Sequence, residues 1–177
     1  LEDAVIKFFH NPELVTKRVL KADVLRGLVP KILGHKRNFF KYEYAEGELF
    51  SSVVSPKSMK HLLLWAKENM WSRPDATLEE DDNRKFYLDK TMDRVSMYLS
   101  QKDDDWLTIN HQEIPPVEQM IENIDKSWLL NGEPAVVHGD FILDNIIQRE
   151  MDFCLIDWRQ DYAGKMDVGD IYYDLAK

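Results

Sequence analysis

Asp140, Asn145 and Asp157 are three oxygen-bearing side chains that each fall where an apolar run meets polar residues. Ala135-Val136-Val137 leads into His138-Gly139-Asp140, Asn145 opens Asn145-Ile146-Ile147, and Phe153-Cys154-Leu155-Ile156 ends on Asp157. Short apolar runs bounded by polar residues are the pattern of buried strands, so all three side chains belong at strand–loop junctions and converge. Such a set suits a hard divalent cation and a phosphate. The aspartate and asparagine that flank the short loop can divide labour. A carboxylate accepts or orients a hydroxyl proton, while a neutral amide ligates a metal without adding a second repelling charge. Asp157 supplies the anionic ligand. Taken singly, Asp and Asn in loops are most often turn formers; the ordered set is what points to a site. Lys7 is the fourth candidate, a charge in the middle of the apolar run Ala4-Val5-Ile6-Lys7-Phe8-Phe9. It is either an edge-strand lysine facing water or a compact cation on a long stem that reaches nucleotide phosphates.

The elements that must position these groups follow in order. Residues 4–9 have the β-branched and aromatic content of a strand. Asn11-Pro12-Glu13 gives an N-cap, a proline in the first turn and an early acid, opening a helix through Val15, Val19, Leu25 and Leu28 that Pro30 closes. Ile32-Leu33 and residues 39–44 read as strands about a turn at His35-Lys36-Arg37-Asn38. Beyond Gly47 the chain turns helical. One helix carries Met59, Leu62, Leu63, Ala66 and Met70 on one face, a second carries Phe86 to Leu99, and a third runs over residues 117–130 to Asn131-Gly132. Residues 103–116 read as a polar loop around Trp106, and residues 168–176 begin a last helix.

The bulk composition bounds the class. With 177 residues and 44% hydrophobic content the chain can fill a real core. A formal charge of −9 argues against a nucleic-acid partner. The single cysteine, Cys154, allows no internal disulfide, lies within an apolar run, and points to a reducing, cytoplasmic setting. No apolar stretch reaches membrane-span length and no signal-peptide pattern opens the chain, so no membrane partner is expected. The chain starts at Leu1 inside a strand pattern and reads as a piece of something longer.

Taken together, these motifs resemble the aminoglycoside phosphotransferase and choline kinase family of small-molecule kinases, relatives of the protein kinases. The resemblance runs from Lys7 to the last residue. It implies an α+β, protein-kinase-like two-lobe fold, with a truncated N-terminal β lobe at residues 1–47 and a mainly helical, C-terminally truncated lobe at residues 48–177. It implies Asp140 as the catalytic base, Asn145 and Asp157 as magnesium ligands, and Lys7 as a contact to the ATP phosphates. Backbone groups near Glu43 and Ala45 would pair with adenine. His138 would be a scaffold for the loop, and Asp174, within Gly169-Asp170-Ile171-Tyr172-Tyr173-Asp174-Leu175-Ala176, would brace it. The implied activity moves the ATP γ-phosphate to a hydroxyl of a small molecule, whether choline, an amino alcohol, an aminoglycoside or a sugar. The alternative is a catalytically inactive kinase-like nucleotide-binding or regulatory domain.

Two departures stand out. Where the family places an acid on the first helix to pair with the strand lysine, the chain has Lys21, with Asp23 the nearest carboxylate. The glycine-rich loop and two strands expected ahead of Lys7 are missing from a chain with six residues there. Trp158, Asp161, Tyr162 and Tyr172 form either a cage for an ammonium group or packing for the last helix, and Arg159 opposes a cationic acceptor.

Overall fold

The computed structural model describes residues 3–72, 74–101, 108–150 and 152–177. They gather into two compact units, residues 1–78 with 133–177, and residues 79–132. All of the candidate site residues lie in the first.

In that unit β1 (Ala4–Phe8), β2 (Ile32–Lys36) and β3 (Phe39–Glu43) form an antiparallel sheet in the order β1-β3-β2, with Lys7 opposite Phe40. Strand periodicity sorts β3 cleanly: Phe40 and Tyr42 are buried, while Phe39, Lys41 and Glu43 are exposed. Both buried rings pack on the Trp158 indole, with centroids 6.0 and 5.9 Å away. The turn between β2 and β3 is tied to the end of β1, because the Asn38 amide donates to the carbonyls of Phe9 and His10, each at 2.7 Å.

The first helix, α1 (Pro12–Val24), begins as expected, with the Asn11 side chain accepting from the Glu13 N–H at 2.9 Å. It ends earlier than the run of apolar residues suggests. Gly27 takes φ +86°, a left-handed conformation in which glycine meets no Cβ penalty, and the chain turns away before Pro30. The face that α1 buries carries Val15, Lys21 and Ala22.

Next come β4 (Glu48–Leu49), α2 (Phe50–Val53) and α3 (Pro56–Ala66), the last opened by a Ser55–Ser58 capping box. α3 runs on into a π-helical turn over Lys67–Trp71, which carries Met70 and Trp71 into the core. Leu63 is left outward, 39% exposed, although its spacing with Leu62 and Ala66 assigned it inward.

The remaining strands are shorter than their apolar runs. Among the described residues β7 (Pro134–Ala135) pairs with β10 (Gly169–Asp170) alone, and Val136 and Val137 are buried without being strand. β8 (Ile146–Gln148) lies between β4 and β9 (Phe153–Leu155). Phe153 anchors this region, ringed by Phe50, His61 and Trp65 at centroid distances of 5.7, 5.2 and 5.4 Å. Cys154 is buried beside it, and burial pushes its thiol pKa up. The last helix, α8, spans Ile171–Leu175, with residues 169–170 given over to β10.

The second unit opens with α4 (Glu80–Asn83), which passes through a π-helical stretch, Arg84–Asp89, into α5 (Lys90–Leu99). Its third expected helix is broken into α6 (Val117–Glu122) and α7 (Lys126–Leu130). The break has a local cause: the Asp125 carboxylate accepts from the N–H groups of Ser127 and Trp128, capping a new helix in competition with the old one. Within the expected polar loop, β5 (Thr108–Ile109) and β6 (Gln112–Glu113) form a small hairpin, its corner made by Asn110 and His111 at φ +52° and +66°. Trp106 lies outside the described residues. Among the described residues, no helix is long and apolar enough to cross a membrane.

Candidate active site

The site begins with the segment after β7. Val136 and Val137 are buried, His138 is fully enclosed, and Gly139 then takes φ +85°. That bend turns Asp140 outward, its side chain 41% exposed at the end of an otherwise buried run. A Cβ on Gly139 would lie 2.5 Å from the Arg159 Cβ, and the left-handed φ adds strain of its own. Gly139→Ala is therefore expected to cost about 1–3 kcal/mol, readable as a lowered denaturation midpoint; an unchanged midpoint would show that the loop repacks freely.

One carboxylate holds this bend. Asp174, on α8 and buried, accepts from the N–H groups of His138 at 2.8 Å and Gly139 at 2.7 Å and from the Trp71 indole at 3.2 Å. Burial pushes its pKa up to about 6 against those three donors, which pull it down. α8 is registered in turn by Asp170, whose side chain accepts from Tyr172 N at 3.2 Å and from Glu133 N at 3.1 Å. His138 is held neutral by burial, its pKa pushed down to about 4, and its Nδ1 accepts from Asp140 N at 3.3 Å. It is a part of the scaffold.

Asn145 ends a 3₁₀ turn over Leu143–Asn145 and is buried. Its amide donates to the Asp140 carbonyl at 2.9 Å and to Asp140 Oδ2 at 3.0 Å, which fixes the two side chains against each other. Its backbone carbonyl accepts from Ile156 N at 2.8 Å, beside the β8–β9 pair Ile146 and Leu155, and leaves the side-chain Oδ1 unused by this bond. The hairpin thus delivers Asn145 and Asp157 to the same end. Asp157 sits at φ +59°, an uncommon conformation for a residue other than glycine. Its carboxylate meets Lys7 Nζ at 2.7 Å. Lys177 Nζ lies 3.4 Å from the Asp140 carboxylate.

Lys7 of β1 is thus paired with Asp157 after β9, and Asp140, from the bend after β7, with Asn145 before β8, the two pairs linked by the Ile156–Asn145 backbone bond. Glu43 and Ala45 lie at the end of β3 and just beyond it, apart from these pairs. The Glu43 N–H is donated to the Lys31 carbonyl at 3.0 Å, and Ala45 is buried. Lys21 does not face Lys7. Its Nζ donates to the Met166 carbonyl, and burial lowers its pKa to about 8 although Asp174, Asp167 and Asp161 favour its charge. Sequence reasoning missed both the direct partner of Lys7, which is Asp157, and Arg18 of α1, whose guanidinium is attracted by Asp157 and Asp140. One signal for Arg18 was available, since it lies one helical turn before Lys21 on the same face.

Of the rings offered as a cage, Trp158 and Tyr162 are packing, whereas Tyr172 on α8 is 52% exposed. Trp158 and Tyr162 are each only 1% exposed, so neither offers a face to an ammonium group, and Asp161 is paired with Lys17 at 3.0 Å. The donor set of Asn145 and Asp157 fits magnesium. With its Nδ2 turned to Asp140, Asn145 leaves its carbonyl oxygen as a neutral ligand, and Asp157 supplies one anionic oxygen group. Magnesium characteristically takes one or two protein oxygens and completes its shell with water and phosphate. No group of three or more His, Cys, Asp or Glu side chains among the described residues forms an all-protein metal cage.

A small antiparallel sheet above a loop-borne Asp, Asn and second Asp is the arrangement of a kinase-like α+β protein. The sequence matches the family model of the phosphotransferase enzyme family, APH, over residues 24–177, and the chain belongs to that family. Two solved structures are similar to it in fold. The gentamicin–APH(2")-IIa complex superposes with a TM-score of 0.59 at 22% identity, covering 97% of this chain and 62% of that one. The streptomycin–ATP–APH(2")-IIa ternary complex gives 0.55 at 18% identity, again covering 97% and 62%. The chain therefore spans less than two thirds of the length of these structures. No curated protein matches the sequence.

Proposed function

We propose that this chain carries the catalytic centre of a phosphotransferase that moves the γ-phosphate of ATP to a hydroxyl of a small molecule. The observation that carries this reading is the pairing of Lys7 with Asp157 and of Asn145 with Asp140, linked by the backbone bond from Ile156 N to the Asn145 carbonyl, with the bend before Asp140 held by a buried Asp174. Membership of the phosphotransferase family supports it, as does the likeness in fold to complexes that contain gentamicin, streptomycin and ATP. In the reaction the acceptor oxygen bonds to the γ-phosphorus while the bond from that phosphorus to the β–γ bridging oxygen breaks. The bridging oxygen leaves with the electron pair on ADP, and the hydroxyl proton goes to Asp140. Magnesium, when bound, neutralises phosphate charge. Asn145 and Asp157 are the residues that would hold it, and Lys7 would hold phosphate oxygens from the other side. Positioning and charge neutralisation carry most of such a transfer, so an ordinary aspartate suffices as base. Glu43 and Ala45 are assigned to adenine through their backbone, and a cytoplasmic setting is in keeping with a single buried thiol.

Consumption of ATP by the protein in the presence of magnesium, measured against a panel of cholines, amino alcohols, aminoglycosides and sugars, tests the reading. Acceptor-dependent turnover is expected for at least one class. Nucleotide binding without turnover on any acceptor would favour an inactive kinase-like domain instead. The ion pairs that engage Asp157 with Lys7 and Asp140 with Lys177 are the feature in keeping with that second reading.

A further inference from the structure

Arg18 is a basic group beside the site that none of these roles uses. Its carbonyl accepts from the Trp158 indole N–H at 2.8 Å, which locks this turn of α1 to the residue after Asp157. Its guanidinium lies 4.6 Å from the centre of the Phe9 ring. The buried Nε has no hydrogen-bond partner, and Arg18 forms no ion pair among the described residues. The surrounding field is mixed: Asp157 and Asp140 attract the guanidinium, Arg159 repels it, and burial disfavours its charge.

A half-buried guanidinium that forms no ion pair is costly unless a counter-charge reaches the exposed part of its fork. Of the nearby carboxylates, Asp157 is paired with Lys7, and Asp140 has a solvent-exposed contact with Lys177 at 3.4 Å. What remains is an oxyanion brought by a ligand. A planar fork of N–H donors matches the oxygens of a phosphoryl group better than it matches a hydroxyl or an amine. We propose that Arg18 contacts the terminal phosphoryl group of ATP, so that a cation on α1 takes part in phosphate binding while the strand lysine draws its carboxylate partner from Asp157. The assignment rests on the phosphotransferase reading. It changes no bond in the transfer and adds charge neutralisation where negative charge is displaced.

The test compares ATP with ADP, which differ in the group concerned. Arg18→Met keeps an unbranched stem against Phe9 and removes the charge, while Arg18→Lys keeps the charge and loses the fork. Affinities of both nucleotides with magnesium are measured by titration calorimetry on the unmodified protein and on both variants. Arg18→Met is expected to weaken ATP about tenfold and leave ADP within about twofold, with Arg18→Lys recovering part of the loss. Equal weakening of both nucleotides would mark Arg18 as packing and overturn the proposal, and so would undiminished discrimination in Arg18→Met. If Arg18→Met does not fold, Arg18→Lys decides alone, since affinity for ATP over ADP identical to the parent's overturns a role for the fork. An unmodified protein that binds neither nucleotide would overturn the phosphotransferase reading, and the role of Arg18 with it.

Discussion

Asp140→Asn is expected to lower acceptor-dependent turnover at least about a thousandfold, the range of a lost general base, while affinity for magnesium and ATP changes little. The separation follows from the geometry. The bond from the Asn145 amide to the Asp140 carbonyl, 2.9 Å, involves backbone and survives the substitution, so Asn145 keeps its orientation. An amide oxygen at the same place can still accept from Asn145 Nδ2, now at 3.0 Å from Asp140 Oδ2. What is lost is the capacity to take a proton from the acceptor. The contact with Lys177 is lost as well, but with side chains 33% and 41% exposed it is screened by solvent and contributes little. Lys7, Asn145 and Asp157 remain, and with them the groups assigned to metal and phosphate. Steady-state turnover together with calorimetric nucleotide binding checks the prediction, and a variant that turns over at the parent rate would remove Asp140 from the role of base.

The parts of this protein that could be read from its sequence are those in which adjacent residues decide the outcome. Asn11-Pro12-Glu13 started a helix because cap, proline and acid act on the same turn, and β3 alternated because strand geometry sends successive side chains to opposite faces. The junction positions of Asp140, Asn145 and Asp157 were legible for the same reason, since each follows or opens a short apolar run. Pairings between distant segments were not legible. Nothing in the order of residues says that Lys7 meets Asp157 at a separation of 150 positions, or that Lys21 turns to the Met166 carbonyl. Boundaries failed where a local bond competed with periodicity. Asp125 capped a new helix inside an apolar repeat, and the π-helical turn after Ala66 carried Trp71 into the core beside Met70, where the helical spacing assigns only Met70. Two of the three rings offered as a cation cage, Trp158 and Tyr162, proved to be core, because ring type alone does not distinguish a lining from a filling.

Asp174→Ala is expected to destabilise the protein by about 3–5 kcal/mol, a fall in melting temperature of about 10 °C for a chain of this size. Three donors converge on this one carboxylate: the backbone N–H groups of His138 and Gly139 and the indole of Trp71. Removing it leaves them buried and unpaired, and the bend that presents Asp140 loses its restraint. Asp174→Asn keeps the shape and is the finer probe, because it separates hydrogen bonding from charge. The folded carboxyl has a pKa of about 6, above its ordinary value of 3.8. Between those values the folded state holds a proton that the unfolded chain does not, so the Asp174 contribution to stability grows as pH falls from 6 and is lost as pH rises. His138 works in the opposite direction. With a folded pKa of about 4 against an ordinary 6.5, it leaves the unfolded chain holding the extra proton, and stability falls as pH falls through that interval. In the parent the two oppose each other. In Asp174→Asn only the histidine term remains, so the gap in melting temperature between parent and variant should widen from pH 7 to pH 5. A gap that narrows instead would mean that the three donors outweigh burial and that Asp174 is an ordinary, strongly acidic carboxylate. In that case Asp174 would stabilise the fold more as pH rises, the reverse of a carboxyl whose folded pKa is about 6.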